Sequence, residues 1–332
     1  MLSVESQVLT RHRDLLAGKS LHFAGFVRDD FPCQQISQSA VSLSSVYFDY
    51  VHQASTLPNV HFGLPAQWQA EVLVYYWGKN KQEVRFELTH LLSLADVGQR
   101  VLIVGENRAG VRSVESLLAP FGAVQKIDSA RRCGLYHFTL ERVPTFSLDG
   151  YWRCYTPANL AGLRLFSLPG VFSAGELDAG TALLLSTLQS AVKGRVLDVG
   201  CGAGVIGAYI KQKNPAIELV QSDIHAMAIA SSQRTLVENG LHGEVVASDV
   251  FSHIEGKFNL IISNPPFHDG VDTAYAATER LIAQSKAHLY SGGELRLVAN
   301  AFLPYPDMLA RAFGRVEVLA QSSKFKVYRA FA

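Results

Sequence analysis

Apolar and amphipathic segments alternate along the C-terminal half of the chain. Short β-rich apolar runs predict strands, and longer runs with apolar positions three or four residues apart predict helices. The predicted strands cover residues 195–200, 217–223, 243–249, 258–263 and 294–300, and the predicted helices cover 203–214, 226–240 and 273–290. Two last runs, "VEVLAQ" and "KFKVYRAFA", indicate an antiparallel pair. The alternation favours a doubly wound, mostly parallel α/β sheet, in which ligands bind beyond the carboxyl ends of the strands.

Composition narrows the class of protein. The chain has 332 residues, of which 48% are hydrophobic and 18% charged, so we expect two globular domains. A net charge of +1 excludes a domain that is basic overall, and any contact with nucleic acid must come from local patches. We find neither a signal peptide nor a run of ~18 apolar residues, and we expect a cytoplasmic protein without membrane contact. The cysteines and histidines show no CxxC or HExxH spacing, so we expect no metal site.

The first predicted strand of this half carries a carboxylate into a glycine-rich turn, "LDVGCGAG". Asp198 lies within the strand, and three glycines follow at alternate positions, Gly200, Gly202 and Gly204. Glycines there allow the backbone to turn tightly and to approach a bound nucleoside closely. We therefore predict that this turn binds a cofactor that contains a nucleoside.

Two further acidic residues end the next two predicted strands, Asp223 before Ile224 and then Asp249. A single Asp in such a place is more typical of a helix N-cap or a turn. Three carboxylates at successive strand ends, with Asp198 as the first, favour a ligand site instead. We expect Asp223, with Ile224 beside it, to accept ribose hydroxyls, and Asp249 to face an adenine amino group.

The glycines also match a competing pattern. Gly202, Gly204 and Gly207 spell GxGxxG after a strand, with an acidic residue about twenty positions further on, which is the dinucleotide fingerprint. Asp198 argues against a dinucleotide, because a carboxylate before the glycines would repel a pyrophosphate. It would instead accept hydrogen bonds from the ammonium group of S-adenosylmethionine, which carries no phosphate. We therefore predict S-adenosylmethionine as the cofactor.

A helix is predicted just before the first strand, within "GVFSAGELDAGTALLL" (170–185). Gly180 and Thr181 open this helix, and its N-terminus would attract the carboxylate of the methyl donor. Phe172 is expected to pack nearby. An ordinary entry helix with Phe172 in the hydrophobic core is the alternative.

The fourth predicted strand runs into a stiff turn, Asn264, Pro265, Pro266 and Phe267. Prolines cannot continue a sheet ladder, so the chain leaves the strand here. An exocyclic aromatic amine becomes nucleophilic when two acceptors hold its hydrogens, and the Asn264 side-chain carbonyl and the Pro265 backbone carbonyl are such acceptors. Phe267 would stack on the base. A turn that merely ends the strand is the alternative, and the upstream glycine motif disfavours it.

"VLDVGCGAG" followed by "NPPFHDG" resembles the class I S-adenosylmethionine-dependent methyltransferases that modify exocyclic amines. With "GVFSAGELDAGTALLL" upstream and "FGRVEVLAQSSKFKVYRA" downstream, the whole chain is similar to the bacterial small-subunit rRNA guanine-N2 methyltransferase family. The resemblance implies a Rossmann-like, mostly parallel seven-stranded sheet with an antiparallel C-terminal strand pair. It also implies a guanine of 16S rRNA on the 30S subunit as the substrate and Asn264 to Phe267 as the catalytic turn. We expect a monomer.

The N-terminal half repeats this pattern 192 residues earlier, where "FGAVQKIDSARRCGLYHF" (121–138) aligns with "FGRVEVLAQSSKFKVYRA" (313–330). Upstream of this pair the two copies align only approximately, and the catalytic turn is replaced by approximately Tyr76, Trp77, Gly78 and Lys79. Residues 21–32 contain no run of glycines. We therefore predict two tandem class I methyltransferase domains, a degenerate one at 1–150 and a catalytic one at 151–332. The loop-rich residues 151–170 are expected to link them.

Arginines cluster in the degenerate copy at Arg108, Arg112, Arg131 and Arg132, with Arg11 and Arg13 near its start. They predict a surface that holds phosphates of 16S rRNA while the catalytic copy acts. Scattered arginines that form salt bridges within the domain are the alternative. Two other functions stay open: a guanine-N2 methyltransferase of large-subunit rRNA, and a non-catalytic RNA-binding factor of ribosome assembly.

Overall fold

The computed structural model describes residues 1–160, 162–172, 175–188, 191–265 and 271–332, with the backbone alone at 271–274. The chain folds into two compact units, Met1–Tyr151 and Trp152–Ala332. Each unit has its own seven-stranded sheet within these described residues.

The first unit alternates strands with short helices. Its strands are β1 (Leu21–Gly25), β2 (Val41–Ser45), β3 (Asn59–Phe62), β4 (Val72–Tyr76), β5 (Arg100–Glu106), β6 (Val124–Ala130) and β7 (Cys133–Thr139). Its α-helices are α1 (Val4–Leu9), α2 (Phe31–Gln34), α3 (Phe48–Gln53), α4 (Lys81–Ser93) and α5 (Val114–Leu118). Short 3₁₀ segments lie at Thr10–Leu15, Asn107–Ala109, Val111–Ser113 and Leu148–Tyr151.

The second unit begins with a separate strand pair and then repeats the same plan. Its strands are β8 (Arg153–Tyr155), β9 (Leu165–Ser167), β10 (Arg195–Val199), β11 (Glu218–Asp223), β12 (Glu244–Ala247), β13 (Phe258–Ser263), β14 (Leu289–Asn300), β15 (Val316–Gln321) and β16 (Phe325–Phe331). Its helices are α6 (Ala179–Ser186), α7 (Val205–Lys213), α8 (Ala226–Glu238), α9 (Val271–Ser285) and α10 (Tyr305–Phe313), with a 3₁₀ turn at Lys286–His288.

The two large sheets have the same topology. Their strand orders are β3-β2-β1-β4-β5-β7-β6 and β12-β11-β10-β13-β14-β16-β15. In each sheet the first five strands of this order are parallel, and the sixth is antiparallel to both of its neighbours. The predicted fold, two tandem Rossmann-like domains with a mostly parallel seven-stranded sheet and an antiparallel C-terminal pair, is confirmed.

Both faces of the first sheet are buried, which explains why its central strands are apolar throughout. Alternate residues of β4 belong to separate hydrophobic cores, with Tyr76 beside Phe23 on one face and Tyr75 beside Trp77 on the other. In the second unit Phe258 is among the residues of one large core. Burying one such side chain contributes about 1.5–3 kcal/mol to stability.

The helix predicted at 273–290 is shorter than its apolar periodicity indicates. α9 ends at Ser285, and Leu289 already pairs with Phe258 in the sheet. The next paired residues are Leu260 and Glu294, so β14 bulges between Leu289 and Glu294. An apolar residue such as Leu289 fits a buried position of either a helix or a strand, and the pairing with β13 decides between them.

Residues 151–170, predicted as a loop-rich link, contain the antiparallel pair β8 and β9. This pair is bound to α8 of the second unit, because the Phe166 N–H donates to Thr235 Oγ1 at 3.0 Å and the Leu168 N–H to Ser231 Oγ at 3.1 Å. From Trp152 onward the stretch is therefore part of the second unit rather than a free connection.

Candidate functional site

The register of the second sheet brings the predicted chemistry to one edge. β10 lies between β11 and β13, with Asp198 level with Gln221 on one side and with Ile262 on the other. The glycine turn, Asp223 and Asn264 follow directly from the carboxyl ends of these three adjacent strands. Parallel strands end at the same edge of a sheet, so these groups form one site.

The backbone N–H groups of the glycine turn are hydrogen-bonded to the end of β11, and the space beside Gly200 and Gly202 is open. The N–H groups of Gly200 and Cys201 donate to the Ser222 carbonyl at 2.8 and 2.9 Å, and the Gly202 N–H donates to Asp223 Oδ2 at 2.9 Å. Gly200 and Gly202 have φ values of +71° and +54°, and a Cβ on either would meet no atom within 4 Å. The space beside these two glycines is therefore available to a ligand.

Gly204 has a different role from the other two glycines. A Cβ at this position would lie 2.8 Å from Ser232 Oγ and 3.1 Å from its Cα. Gly204 therefore allows α7 to approach α8 closely, and it does not face the open space above the turn.

Asp198 lies beneath the turn and is fully buried. Its Oδ2 accepts hydrogen bonds from the Gly207 N–H at 3.0 Å and from Gln221 Nε2 at 3.2 Å. Its Oδ1 is buried and has no hydrogen-bond partner among the described residues. Burial raises the pKa of Asp198 to about 7, although the bonds from Gln221 and Gly207 oppose the shift. A cationic donor supplied by a ligand would satisfy Oδ1 and restore the charged form.

Asp223 holds two backbone groups at the end of β11. Besides the bond to Gly202, its Oδ1 accepts from the His225 N–H at 2.9 Å, next to the start of α8. Burial raises the pKa of Asp223, against these backbone hydrogen bonds. Each oxygen keeps a second lone pair for a hydroxyl donor, and the half-buried Ile224 lies beside it in sequence.

Asp249 has a partner that the sequence did not indicate. Both of its oxygens bind the guanidinium group of Arg280 in α9, each at 2.7 Å. This bidentate pair uses the carboxylate that was predicted to face adenine. The prediction missed Arg280 because it lies far along the chain, in a helix whose charged positions look like an ordinary solvated face.

Asn264 is bound on one end of its side-chain amide and unpartnered on the other. Its Nδ2 donates to Asp178 Oδ2 at 3.0 Å and to Thr181 Oγ1 at 2.8 Å. Its Oδ1 is buried without a hydrogen-bond partner among the described residues. An unsatisfied buried acceptor costs ~1–3 kcal/mol, so this oxygen is poised for a donor from a ligand. Pro265 is buried, whereas Pro266 and Phe267 lie outside the described residues.

The N-terminus of α6 is capped by the chain itself. Asp178 is the N-cap residue, and its Oδ2 accepts from the Thr181 N–H at 2.8 Å. Gly180 is packed tightly, since a Cβ there would lie 3.0 Å from Asp178 Oδ2 and 3.3 Å from the Phe325 ring. Phe172 is 62% exposed, so it is not a core residue. The sequence analysis missed Asp178, although an Asp directly before a helix is a typical N-cap signal.

The strand register shows what replaces these groups in the first unit. β6 and β7 lie 192 residues before β15 and β16. Val104 pairs with Leu135 in β7, as Val298 pairs with the equivalent Val327 in β16. Tyr76 pairs with Val104, which places Tyr76 at the position that Asn264 holds in the second sheet.

From the same register, Gly25 takes the place of Gly200 and has a similar φ of +82°. The place of Asp198 is taken by Phe23, and that of Asp223 by Ser45. Tyr76 is buried, and its hydroxyl lies 2.7 Å from that of Ser6 in α1. The first unit keeps the turn of the fold but has lost both carboxylates and the amide.

The four arginines of the predicted RNA surface are all exposed and lie near the carboxyl end of β5 or in the adjoining hairpin. Arg131 and Arg132 form the two-residue turn between β6 and β7, with φ values of +51° and +62°. Positive φ at both central residues is the geometry of a type I′ turn, which Asn and Gly favour and Arg does not. Neither arginine forms an ion pair within the described part of the chain, whereas Arg108 pairs with Glu106 at 2.6 Å.

Arg11, near the start of the chain, has an internal partner. Its Nε lies 3.2 Å from Asp128 Oδ2, which His12 Nε2 also contacts at 2.8 Å. For this arginine the structure favours the salt bridge that the sequence analysis gave as the alternative. Across the described residues, no group of three His, Cys, Asp or Glu is arranged to hold a metal ion, and no helix is long and apolar enough to cross a bilayer.

Known proteins are similar to this chain along its whole length. Residues 162–329 match the family described as Methyltransferase small domain, and residues 6–155 match Methyltransferase small domain N-terminal. Proteins named ribosomal RNA small subunit methyltransferase C from Mannheimia succiniciproducens and Pasteurella multocida are each 60% identical to the chain, with 99% of both chains covered. The fold is similar to that of the T. thermophilus 16S rRNA N2 G1207 methyltransferase in complex with AdoMet and guanosine, at 24% identity and a TM-score of 0.82, covering 94% of this chain and 88% of that one.

Proposed function

The chain belongs to the ribosomal RNA small subunit methyltransferase C family, and from this membership we propose that it methylates the exocyclic N2 of a guanine in 16S rRNA with S-adenosylmethionine as the donor. The family name comes from relatives 60% identical over nearly the whole chain. The observation in this chain that carries the proposal is the Oδ1 of Asn264, which is buried at the same sheet edge as the glycine turn and has no hydrogen-bond partner among the described residues.

The second unit offers matching groups for the cofactor. The open space at Gly200 and Gly202 lets a nucleoside approach the backbone, and the Oδ1 of Asp198, which has no partner in the described part of the chain, fits an ammonium group. The free lone pairs of Asp223 fit ribose hydroxyls. S-adenosylmethionine brings all three groups and supplies a methyl group on a positively charged sulfur. To make the predicted contact with the adenine amino group, the Asp249 carboxylate must bind that group and Arg280 at the same time.

Asn264 and Pro265 prepare the acceptor. The lone pair of the guanine amine is shared with the ring, and it becomes available when the two N2 hydrogens are bound to acceptors. Asn264 Oδ1 and the Pro265 carbonyl take these two roles, which hold the nitrogen with its lone pair directed toward the methyl group. These acceptors bind more strongly as the N2 hydrogens become positive during transfer, so they favour the transition state over the ground state. Pro266 and Phe267 lie outside the described residues, and we retain for them the sequence prediction that this part of the turn meets the base, with Phe267 stacking on it.

The first unit lacks these groups, and its role in this proposal is RNA binding rather than catalysis. Arg131 and Arg132 project from a hairpin turn and form no ion pair with the described residues, and Arg112 is exposed in the segment that follows β5. Guanidinium groups of this kind bind phosphates and position a nucleic acid without reading its sequence. We assign residues 1–150 to docking on the 30S subunit in the cytoplasm and residues 151–332 to catalysis.

Substrate and product analysis tests the proposal. Purified protein is incubated with tritiated S-adenosylmethionine and with small subunits, large subunits or naked 16S rRNA, and the RNA is digested to nucleosides. We expect label in small subunits, as N2-methylguanosine. Label in large-subunit rRNA would support the large-subunit alternative, and no label in any RNA would leave a non-catalytic assembly factor.

A further inference from the structure

Asp178, which the sequence analysis did not include in the site, touches the catalytic turn. Its Oδ2 accepts one hydrogen bond from the Thr181 N–H and one from Asn264 Nδ2. Resting on the function proposed above, we infer that Asp178 is a positioning residue for methyl transfer. It determines which end of the Asn264 amide faces the acceptor amine.

The orientation of this amide decides whether it can assist the reaction. The two ends of an asparagine amide have nearly the same shape but opposite hydrogen-bonding roles. With Oδ1 toward the substrate, Asn264 accepts a hydrogen of the guanine amine. With Nδ2 in that place, two donors would oppose each other and the amine would lose an acceptor. A productive site must therefore exclude the flipped amide.

Asp178 excludes it because a carboxylate can only accept hydrogen bonds. An Asn264 oxygen placed 3.0 Å from Asp178 Oδ2 would face another acceptor, and the nitrogen is therefore held there. Thr181 Oγ1, 2.8 Å from Asn264 Nδ2, does not discriminate, since a hydroxyl both donates and accepts. Of these two neighbours of the amide, only Asp178 fixes its direction.

The position of Asp178 is set by the first turn of α6, where it is the N-cap residue. Ser is about as good an N-cap as Asp. Asp178→Ser therefore keeps the cap, but its hydroxyl is one atom shorter than the carboxylate and can donate as well as accept. The substitution separates the N-cap role, which it preserves, from orientation of Asn264, which it removes.

Four variants test the inference: Asp178→Ser, Asn264→Ala, the double variant, and Asp307→Ser as the control. Asp307 is an exposed residue in the first turn of α10, so the control loses the same charge at the start of another helix of this unit. Methyl transfer to small subunits is measured in single turnovers with the donor bound beforehand. Donor affinity is measured by calorimetry, and stability by urea unfolding.

We expect Asp178→Ser to slow transfer at least about tenfold while donor affinity and the unfolding midpoint stay unchanged. The double variant should be no slower than Asn264→Ala alone, because Asp178 acts through Asn264. Asp307→Ser should transfer at the wild-type rate. Wild-type transfer by Asp178→Ser would overturn the inference, and so would a double variant that is slower than Asn264→Ala by the full loss that Asp178→Ser shows alone.

Nuclear magnetic resonance with ¹⁵N-labelled asparagine adds a measurement that does not depend on activity. The Asn264 side-chain amide protons should be protected from exchange in the wild type and lose protection in Asp178→Ser. Equal exchange in both proteins would contradict the inference even if methyl transfer slowed. If the wild type methylates no RNA, the proposed function fails, and this comparison still tests the orientation of the amide.

Discussion

The hydroxyl of Tyr76 lies 2.7 Å from the hydroxyl of Ser6, at the place in the first sheet that Asn264 holds in the second. Ser6 also donates to Asp29 Oδ1 at 3.1 Å, and all three side chains are buried. The N-terminal helix thus makes hydrogen bonds at the position where the second unit has its substrate-facing amide. Because these hydrogen bonds occupy this position, the first sheet keeps the fold but has no substrate-binding amide there.

We predict that the full-length protein binds one molecule of donor. Phe23 and Ser45 in the first unit replace the two carboxylates that would hold an ammonium group and a ribose. Calorimetric titration with S-adenosylmethionine should give a single site. Asp223→Ala should weaken donor binding at this site by ~1–3 kcal/mol. A second site that persists in Asp223→Ala would mean that the first unit has kept a binding function.

Donor affinity should depend on pH through Asp198. Because burial raises the pKa of this carboxyl to about 7, it is protonated below that pH in the free protein and must lose its proton to pair with an ammonium group. We expect the affinity for S-adenosylmethionine to rise by up to about tenfold per pH unit between about pH 5 and about pH 7. Calorimetry across this range on the wild type and on Asp198→Asn measures the effect. A wild-type slope as flat as that of Asp198→Asn would contradict the placement of the ammonium group.

The same carboxyl should make the free protein more stable in mild acid. Its folded-state pKa lies above the ordinary value of 3.8, so the folded state binds the proton more tightly than the unfolded state does. The free energy of unfolding contributed by this group therefore falls as pH rises from about 4 to about 7, by roughly 4 kcal/mol, and is constant above that range. Urea unfolding should show that Asp198→Asn removes most of this dependence. An unchanged dependence in the variant would assign it to other groups.

Replacing Arg131 and Arg132 by Asn and Gly should separate stability from RNA binding. Asn-Gly is the preferred type I′ turn, so the exchange should raise the free energy of unfolding by ~1–2 kcal/mol. Loss of two cationic side chains should weaken binding to small subunits and lower the slope of log affinity against log salt by roughly one to two. Unchanged affinity and slope would remove these arginines from the RNA surface, while a lower stability would contradict the strained turn.

The sequence predicted those parts of the molecule that local patterns determine. Strand periodicity predicted a doubly wound, mostly parallel sheet, the family resemblance implied its seven strands, and the internal repeat predicted a second copy in which approximately Tyr76 replaces Asn264. Contacts between distant segments were missed, because the partner of a side chain depends on which elements the fold brings together. Asp178 against Asn264 and Arg280 against Asp249 are both of this kind.

The central claim is that the side-chain carbonyl of Asn264 assists methyl transfer. The direct measurement is the single-turnover rate of methyl transfer to small ribosomal subunits by Asn264→Ala, with S-adenosylmethionine bound beforehand and its affinity measured in parallel. We predict an affinity within about twofold of the wild type and a rate lower by about 10²–10³, the loss typical of one transition-state hydrogen bond. Transfer at the wild-type rate would contradict the account, because the turn after β13 would then only end a strand.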